Sequence, residues 1–151
     1  MRIVLQNVVS AKVEVKGKIT GNIARGWLSL VGFSIKDNSI IVEKMVDKLL
    51  KLRVFPDENG KTNKSLSDIE GEILSVSQFT LYGNVQHGRR PSFTDSAPYE
   101  EGEKLYNLFN SLIADKCGRI ATGIYGADMK VTLVNDGPFT LILDSEELVC
   151  D

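Results

Sequence analysis

The segment Ser77-Gln78-Phe79-Thr80 gathers two hydroxyls and a carboxamide at the end of an apolar run, and it is the first candidate for chemistry. In an extended strand Gln78 and Thr80 share one face, while Ser77 and Phe79 point to the other. The pattern is typical of an ordinary strand with polar residues outward. The functional interpretation is a strand end that supplies hydroxyl and amide groups to a pocket.

A second candidate is the polar run at residues 135–140, which contains Gly137 and Pro138. Asparagine, aspartate, glycine and proline in succession indicate a turn between two strands. Only about 5% of X-Pro bonds in folded proteins are cis, so the local sequence does not predict a cis bond before Pro138. Taken alone, the segment is therefore a turn.

The densest basic group in the chain is His87-Gly88-Arg89-Arg90-Pro91, which follows closely after the first candidate. Runs of this kind are usually solvated loops. They also suit a phosphate or an RNA backbone, because arginine presents several planar donors to phosphate oxygens. Both interpretations stay open, and the candidate RNA contacts are His87, Arg89 and Arg90.

The residues that are missing restrict the chemistry further. His87 is the only histidine, so no histidine-rich metal site is expected, and a Ser-His-Asp or Cys-His arrangement would have to use it. The chain has no phosphate-loop or dinucleotide fingerprint. Cys117 and Cys150 lack metal-ligand spacing. An enzyme built from this chain is therefore expected to use no metal and no cofactor, and to work mainly by positioning and backbone dipoles.

Length and composition predict one globular domain spanning residues 1–151, with 42% hydrophobic and 25% charged residues. Residues 1–9 alternate in polarity unlike a signal peptide, and no apolar run approaches the length of a membrane span. Two cysteines fit a reducing compartment, so a cytoplasmic location is expected. The net charge of −2 argues against tight nonspecific nucleic-acid binding but allows a small basic patch.

Hydrophobic periodicity predicts an α+β fold for these candidates. Amphipathic helices are predicted at residues 39–52, behind N-cap side chains at 37–39, and at residues 99–115. A loop is predicted over residues 82–98, long enough to suggest a function. The predicted strands, from alternation and short apolar runs, cover residues 1–9, 11–15, 18–23, 27–33, 72–81, 121–125, 129–134 and 139–143.

Four segments in order resemble the D-aminoacyl-tRNA deacylase family, and similar residues at 1–8 and 52–55 extend the likeness over nearly the whole chain. One such motif is weak evidence, whereas four in order over 151 residues are strong evidence. The four segments are Ser77-Gln78-Phe79-Thr80-Leu81-Tyr82, Gly88-Arg89-Arg90-Pro91-Ser92-Phe93, Gly126-Ala127-Asp128-Met129 and Val134-Asn135-Asp136-Gly137-Pro138.

The fold expected with this resemblance is a barrel-like core of antiparallel β-sheets, with two main helices packed outside. The resemblance also implies a homodimer. In such a dimer the Gly137-Pro138 turn of one subunit enters the pocket of the other, and the bond between these two residues is cis.

The resemblance further implies which residues form the pocket. Its floor is expected to be Ser77, Gln78 and Thr80, and the catalytic groups are expected from these three residues and Phe79. Many relatives have phenylalanine where this chain has Tyr125, so the extra hydroxyl changes the polarity of the rim. The rim residues that the resemblance implies are Phe93, Tyr125 and Met129.

The implied reaction is hydrolysis of the ester between a D-amino acid and the 3′-terminal adenosine of a tRNA. Because no plausible base stands beside Thr80, we favour attack by water with help from the adenosine 2′-hydroxyl. Thr80 as a nucleophile is the alternative. The turn at Gly137 and Pro138 is expected to reject L-aminoacyl-tRNA and to let glycyl-tRNA pass.

Two other functional classes compete with this interpretation. One is a non-catalytic RNA-binding barrel that uses Arg89, Arg90 and nearby aromatics, which the net charge disfavours. The other is a hydrolase for free D-amino-acid esters or small amides. Ester loss from D-tyrosyl-tRNA and L-tyrosyl-tRNA separates them, since a binder protects both substrates and a general esterase cleaves both.

Overall fold

A computed structural model describes residues 1–149, so Cys150 lies outside the described residues. None of the described helices is both long and apolar enough to cross a bilayer. The elements follow in the order β1 (Arg2–Val15), β2 (Lys18–Ile23), β3 (Gly26–Gly32), α1 (Ser39–Leu50), β4 (Arg53–Pro56), β5 (Thr62–Ser65), a 3₁₀ turn (Ser67–Ile69), β6 (Glu72–Ser77), a second 3₁₀ turn (Phe79–Tyr82), α2 (Tyr99–Cys117), β7 (Ala121–Thr122), β8 (Met129–Asp144) and α3 (Ser145–Leu148).

One long strand, β1, organises the main sheet, because it pairs antiparallel with β2, β3 and β8. The sheet continues from β3 to β6 and β7, giving the order β2-β1-β3-β6-β7 with β8 on β1. The predicted α+β, barrel-like architecture is confirmed. The β3–β6 and β6–β7 pairs are parallel, and the chain between β3 and β6 is the long crossover that parallel strands require.

The two faces of the sheet bury two separate hydrophobic clusters. Neighbours in a strand point to opposite faces, so Trp27 joins the cluster under α1 and α2, while Leu28 joins the cluster inside the curved sheet. Met45 of α1 and Phe109 of α2 are fully buried against the first face. The helices therefore cover one side of the sheet.

Both predicted helices are present. Asn38 caps α1, since its side-chain oxygen accepts from the Ile41 N–H at 3.1 Å. The helix ends at Leu50 rather than residue 52, because the chain turns directly into β4, which the sequence patterns did not predict. The other helix continues two residues past its predicted end and stops at Gly118, whose φ of +81° suits a glycine cap.

The strand predicted over residues 72–81 is wrong at its end. Pairing with β3 finishes at the Val31–Ser77 register, after which Gln78 leaves the sheet and Phe79 starts a 3₁₀ turn. A side chain at Gly32 would lie 2.7 Å from the Gln78 carbonyl oxygen, so only glycine lets the chain cross there. The predicted alternation of Gln78 and Thr80 on one strand face is therefore wrong as well.

Two predictions near the C-terminus also need correction. The strand predicted at 121–125 is only β7, because the chain leaves the sheet after Thr122 and turns at Gly126, whose φ is +74°. The separate strands predicted at 129–134 and 139–143 are one strand, β8, that pairs with β1 on both sides of the Gly137-Pro138 bond. That bond is cis, as the resemblance implies.

Residues 135–139, here called the proline turn, bulge out of β8. Val8 of β1 pairs with Asn135, and Gln6 pairs with Thr140, so the residues between them are extruded. The Asn135 side chain fastens the base of the bulge, donating to the carbonyls of Asn7 and Phe139 at 2.9 Å and accepting from the Phe139 N–H at 3.2 Å.

Asn7 ties the proline turn to the core. It is 5% exposed, and its side chain accepts from the Trp27 indole N–H at 2.9 Å and donates to the Val54 carbonyl at 3.0 Å. Asp136, Gly137 and Pro138 are exposed. The bulge therefore has a fixed base and a solvent-facing tip.

Candidate functional site

A cleft of about 450 Å³ opens where β6 ends, and we call it the aromatic cleft. Ser77, Gln78 and Phe79 line it from the strand end and the 3₁₀ turn. Tyr125, from the segment between β7 and β8, and Met129, the first residue of β8, also line it. The structure thus brings together five of the residues that the sequence assigned to a pocket, from two segments almost fifty positions apart.

Thr80 lies beside the aromatic cleft and not in its lining. Its side chain is exposed, and its hydroxyl accepts a hydrogen bond from the Gln78 carboxamide. A carboxamide does not take up a proton at neutral pH, so this partner does not activate Thr80 as a nucleophile. The bond instead orients Gln78, whose side chain borders the cleft.

Phe93 supports the cleft from the loop between the 3₁₀ turn and α2. Its ring meets the Phe79 ring edge-on, with centroids 5.0 Å apart and planes at 64°. The Ser96 hydroxyl donates to the Phe79 carbonyl at 3.0 Å. Phe93 is outside the lining of the cleft but contacts Phe79, which lines it, and its role at the rim stays a prediction.

Tyr125 lies between two other tyrosines. Its ring centroid is 5.1 Å from that of Tyr99 and 5.6 Å from that of Tyr106. The Tyr106 hydroxyl donates to the Ser75 carbonyl at 2.8 Å, which fixes the Tyr106 ring. Burial raises the pKa of Tyr125, so its hydroxyl stays protonated at neutral pH.

Tyr99 is one of the lining residues that sequence reasoning missed. It was assigned only to the start of a helix, but its ring lines the cleft and its hydroxyl donates to the Tyr125 carbonyl at 3.4 Å. Gly126 permits this approach, since a side chain there would lie 2.5 Å from the Tyr99 ring. An exposed aromatic directly after Pro98, at the end of a suspected functional loop, was the available signal.

Asp128 is the one carboxylate among the described residues that line the aromatic cleft. Both of its oxygens accept from the Lys130 ammonium group, at 2.9 and 3.0 Å. Among residues 1–149, no group of three or more histidine, cysteine, aspartate or glutamate side chains could hold a metal ion. The residues at the cleft are suited to positioning and to hydrogen bonding through backbone and neutral side chains.

The basic loop, residues 87–91, does not line the cleft. Asn84 and Ser92 close its base through two backbone hydrogen bonds, of 2.7 and 2.9 Å. All five residues of the loop are exposed, including His87, Arg89 and Arg90. In the sequence the loop follows the 3₁₀ turn of the cleft by five residues, and its cations are open to solvent.

A second cleft, of about 460 Å³, lies on the other side of the same 3₁₀ turn and includes Arg2 and Lys36 in its lining. Arg2 pairs with Asp144 at 2.7 Å, and Lys36 pairs with Glu146 at 3.2 Å. With both cations already paired, this cleft is less suited to an anionic ligand than the basic loop.

Comparison with known proteins identifies close relatives. Residues 4–144 match the model of the family described as D-Tyr-tRNA(Tyr) deacylase. A D-aminoacyl-tRNA deacylase from Listeria innocua serovar 6a is 52% identical over 148 residues, covering 98% of this chain and 99% of the relative. Another from Thermosipho africanus is 50% identical over 148 residues, with the same coverage.

Two solved structures share the architecture. One, titled c-Myc DNA Unwinding Element Binding Protein, has a TM-score of 0.89 and 42% identity, covering 95% of this chain and 98% of that one. The other, titled Structural Analysis of a probable eukaryotic D-amino acid tRNA deacylase, has a TM-score of 0.84 and covers 94% and 97% of the two chains. At 21% identity, the second likeness establishes the fold alone.

Proposed function

The chain belongs to the D-Tyr-tRNA(Tyr) deacylase family, and on that premise we propose that it hydrolyses the ester joining a D-amino acid to the 3′-terminal adenosine of a tRNA. It is a hydrolase of carboxylic ester bonds, a D-aminoacyl-tRNA deacylase. The observation that carries this function is the aromatic cleft, since Ser77, Gln78, Phe79 and Met129, from two of the segments that resemble the family, meet there. We place the activity in the cytoplasm, where translation uses aminoacyl-tRNA.

The protein groups at the cleft favour positioning over covalent catalysis. Holding the ester and a water molecule in an attack geometry can contribute roughly 7–11 kcal/mol in favourable cases. The N–H groups of Phe79 and Thr80 stand at the start of a 3₁₀ turn, where backbone donors have no partner within the turn. We assign them to the developing oxyanion, at about 3 kcal/mol per donor. The vicinal 2′-hydroxyl of the substrate assists the water.

The proline turn belongs, in this proposal, to the cleft of a second copy of the chain. None of residues 135–139 lines the aromatic cleft of its own chain, and Gly137 lies eight residues along β8 from the lining residue Met129, roughly 25 Å in an extended strand. Among the described strands β8 pairs with β1 alone. A two-fold axis near Val134, which is 55% exposed, would bring Gly137 opposite the partner's Val131, a lining residue of the cleft.

Selectivity is the demanding part of the proposed reaction. Rejecting L-aminoacyl-tRNA by about 10⁴-fold requires about 5.5 kcal/mol. A methylene of difference in a pocket supplies only about 1–3 kcal/mol, whereas a rigid obstruction can supply the whole amount. Main-chain carbonyls of the proline turn, held by Asn135, would stand against the substrate amino group and Cα. An L side chain would then collide with the turn, and a D side chain would point to solvent.

Such a filter ignores the identity of the side chain. Glycine has none to collide, so glycyl-tRNA is a second proposed substrate. The test is ester loss from D-tyrosyl-, L-tyrosyl- and glycyl-tRNA under single-turnover conditions. We expect rapid ester loss from the D-tyrosyl and glycyl substrates, with L-tyrosyl-tRNA spared.

The competing functions give different patterns in the same assay. Protection of all three esters would identify a non-catalytic RNA binder, and cleavage of both D and L esters would identify a general esterase. Hydrolysis of free D-amino-acid esters as fast as the tRNA substrate would also contradict the proposed substrate.

The basic loop is proposed to contact the tRNA backbone. We expect Arg89→Ala with Arg90→Ala to weaken tRNA binding and to reduce the slope of log Kd against log salt by about one to two. The measurement is filter binding between 50 and 300 mM salt, about the range in which phosphate contacts dominate. Lys48→Ala with Lys51→Ala, two exposed cations at the end of α1, is the charge-matched control. An unaltered slope in the arginine variant would remove the loop from the interface.

A further inference from the structure

Tyr125 reaches from the aromatic cleft to the backbone of α2. The helix is buried there at Gly102, and a Cβ at this position would lie 2.1 Å from the Tyr125 hydroxyl oxygen. A real Cβ does not tolerate that separation, so the hydroxyl occupies the space that a side chain would fill. Gly102 therefore serves as a notch in the helix, formed by the absence of a side chain.

The contact with Tyr125 also explains why glycine, which destabilises a helix, is present at position 102. Glycine in a helix interior is less stable than alanine, and Gly102 is in the first turns of a nineteen-residue helix with no positive φ to require it. The contact with Tyr125 supplies the reason, because alanine would collide with the ring. Without the hydroxyl, the nearest atom of the ring would be Cζ at 3.2 Å, a contact that a small shift relieves.

We propose that Gly102 is a positioning residue for substrate binding, which fixes the Tyr125 ring by receiving its hydroxyl. The Tyr99 ring contacts the Tyr125 ring edge-on, and the Tyr106 ring contacts it at a tilt. Together with these two ring contacts, the contact between the Tyr125 hydroxyl and Gly102 restrains the position of the Tyr125 ring. The ring then presents a fixed aromatic wall to the aminoacyl-adenosine end of the substrate. This inference rests on the proposed function for its substrate, but the contact itself does not depend on it.

The test is a double-mutant cycle on Gly102→Ala and Tyr125→Phe. Gly102→Ala alone is expected to lower the Tm by roughly 4 °C or more, against the usual stabilising direction of this change in a helix. In the Tyr125→Phe background the same change should leave the Tm level or raise it. Asn107→Ala, at an exposed position of α2, reports the ordinary effect of a better helix former.

Kinetics separate positioning from general stability. Gly102→Ala is expected to raise the KM for D-tyrosyl-tRNA about tenfold with a smaller change in kcat, because the displaced ring affects binding before chemistry. In the Tyr125→Phe background the substitution should change KM less than about twofold. An unchanged Tm and KM in the single variant, or equal impairment in both backgrounds, would overturn the inference.

The two proposals fail in distinguishable ways. If the wild-type chain spares D-tyrosyl-tRNA while the Tm cycle still shows rescue, then the proposed function is wrong and the Gly102–Tyr125 contact stands. If D-tyrosyl-tRNA is hydrolysed but the cycle shows no coupling, then the function stands and the positioning role is wrong.

Discussion

Alanine in place of Gly137 is expected to lower the preference for D- over L-tyrosyl-tRNA by about 10²-fold or more. Gly137 has a φ of +133°, and an added Cβ would lie 3.0 Å from the Phe139 nitrogen. The proline turn must therefore change shape when a side chain is added, and the carbonyls proposed to obstruct L substrates move with it. The measurement is the ratio of kcat/KM for the two esters.

The control for this prediction is Gly60→Ala. Gly60 also has a positive φ, +75°, but its turn is exposed and a Cβ there meets nothing within 4 Å. It carries the conformational strain without touching the proline turn, so its selectivity should equal that of the wild type. A Gly137→Ala variant that keeps full D-over-L discrimination would remove the turn from the filter.

Removing the 2′-hydroxyl from the terminal adenosine is expected to slow hydrolysis by about 10²- to 10⁴-fold, the usual contribution of a positioned acid–base group. The reason is the cleft itself: its one lining carboxylate among the described residues, Asp128, is paired with Lys130, and Thr80 is partnered by a carboxamide. The group that remains to assist the attacking water is then the 2′-hydroxyl of the substrate itself. Single-turnover hydrolysis of D-tyrosyl-tRNA ending in 2′-deoxyadenosine, charged on the 3′-hydroxyl, measures it.

Thr80 variants provide the counterpart to that experiment. Thr80→Ala should retain substantial hydrolysis, and Thr80→Ser should resemble the wild type, because the hydroxyl orients Gln78 and forms no bond to the substrate. Complete loss of turnover in Thr80→Ala with tRNA binding retained, together with normal hydrolysis of the 2′-deoxy substrate, would establish the acyl-enzyme route instead.

Sequence patterns predicted the elements whose formation is local. The hairpin of β1 and β2 follows from alternation on either side of Gly17, and α1 follows from its apolar face and the Asn38 cap. These features depend on residues within a few positions of one another. Their presence and type could therefore be predicted without knowledge of the tertiary fold.

The strand predictions were wrong where contacts with residues distant in the sequence determine the course of the backbone. The end of β6 depends on the crossing of Gln78 over Gly32, forty-six positions earlier. The continuity of β8 through Gly137-Pro138 depends on pairing with β1, which supplies hydrogen bonds on both sides of the bulge. Neither contact is visible in a local window, so the strand was predicted too long in one case and divided in the other.

The sequence indicated several residues of the candidate site but not how they are arranged. Ser77, Gln78, Phe79, Tyr125 and Met129 line one cleft, and the resemblance to a family supplied that grouping. Tyr99 was missed because a tyrosine that opens a helix has no pattern pointing to a site 26 residues onward. Gly102 was missed for the same reason, because its proposed role depends on the position of the Tyr125 hydroxyl, 23 residues later in the chain.

The most direct test of the account is complementation between two variants in a mixed dimer. Ala127→Trp would fill the cleft and leave the proline turn intact, whereas Gly137→Ala would leave the cleft intact. If one chain supplies the turn to its partner, the purified mixed dimer has one complete site and should recover about half of the selective hydrolysis of the wild type. A mixed dimer that hydrolyses L-tyrosyl-tRNA as readily as the Gly137→Ala protein, or a monomeric wild-type chain that still discriminates, would contradict the account.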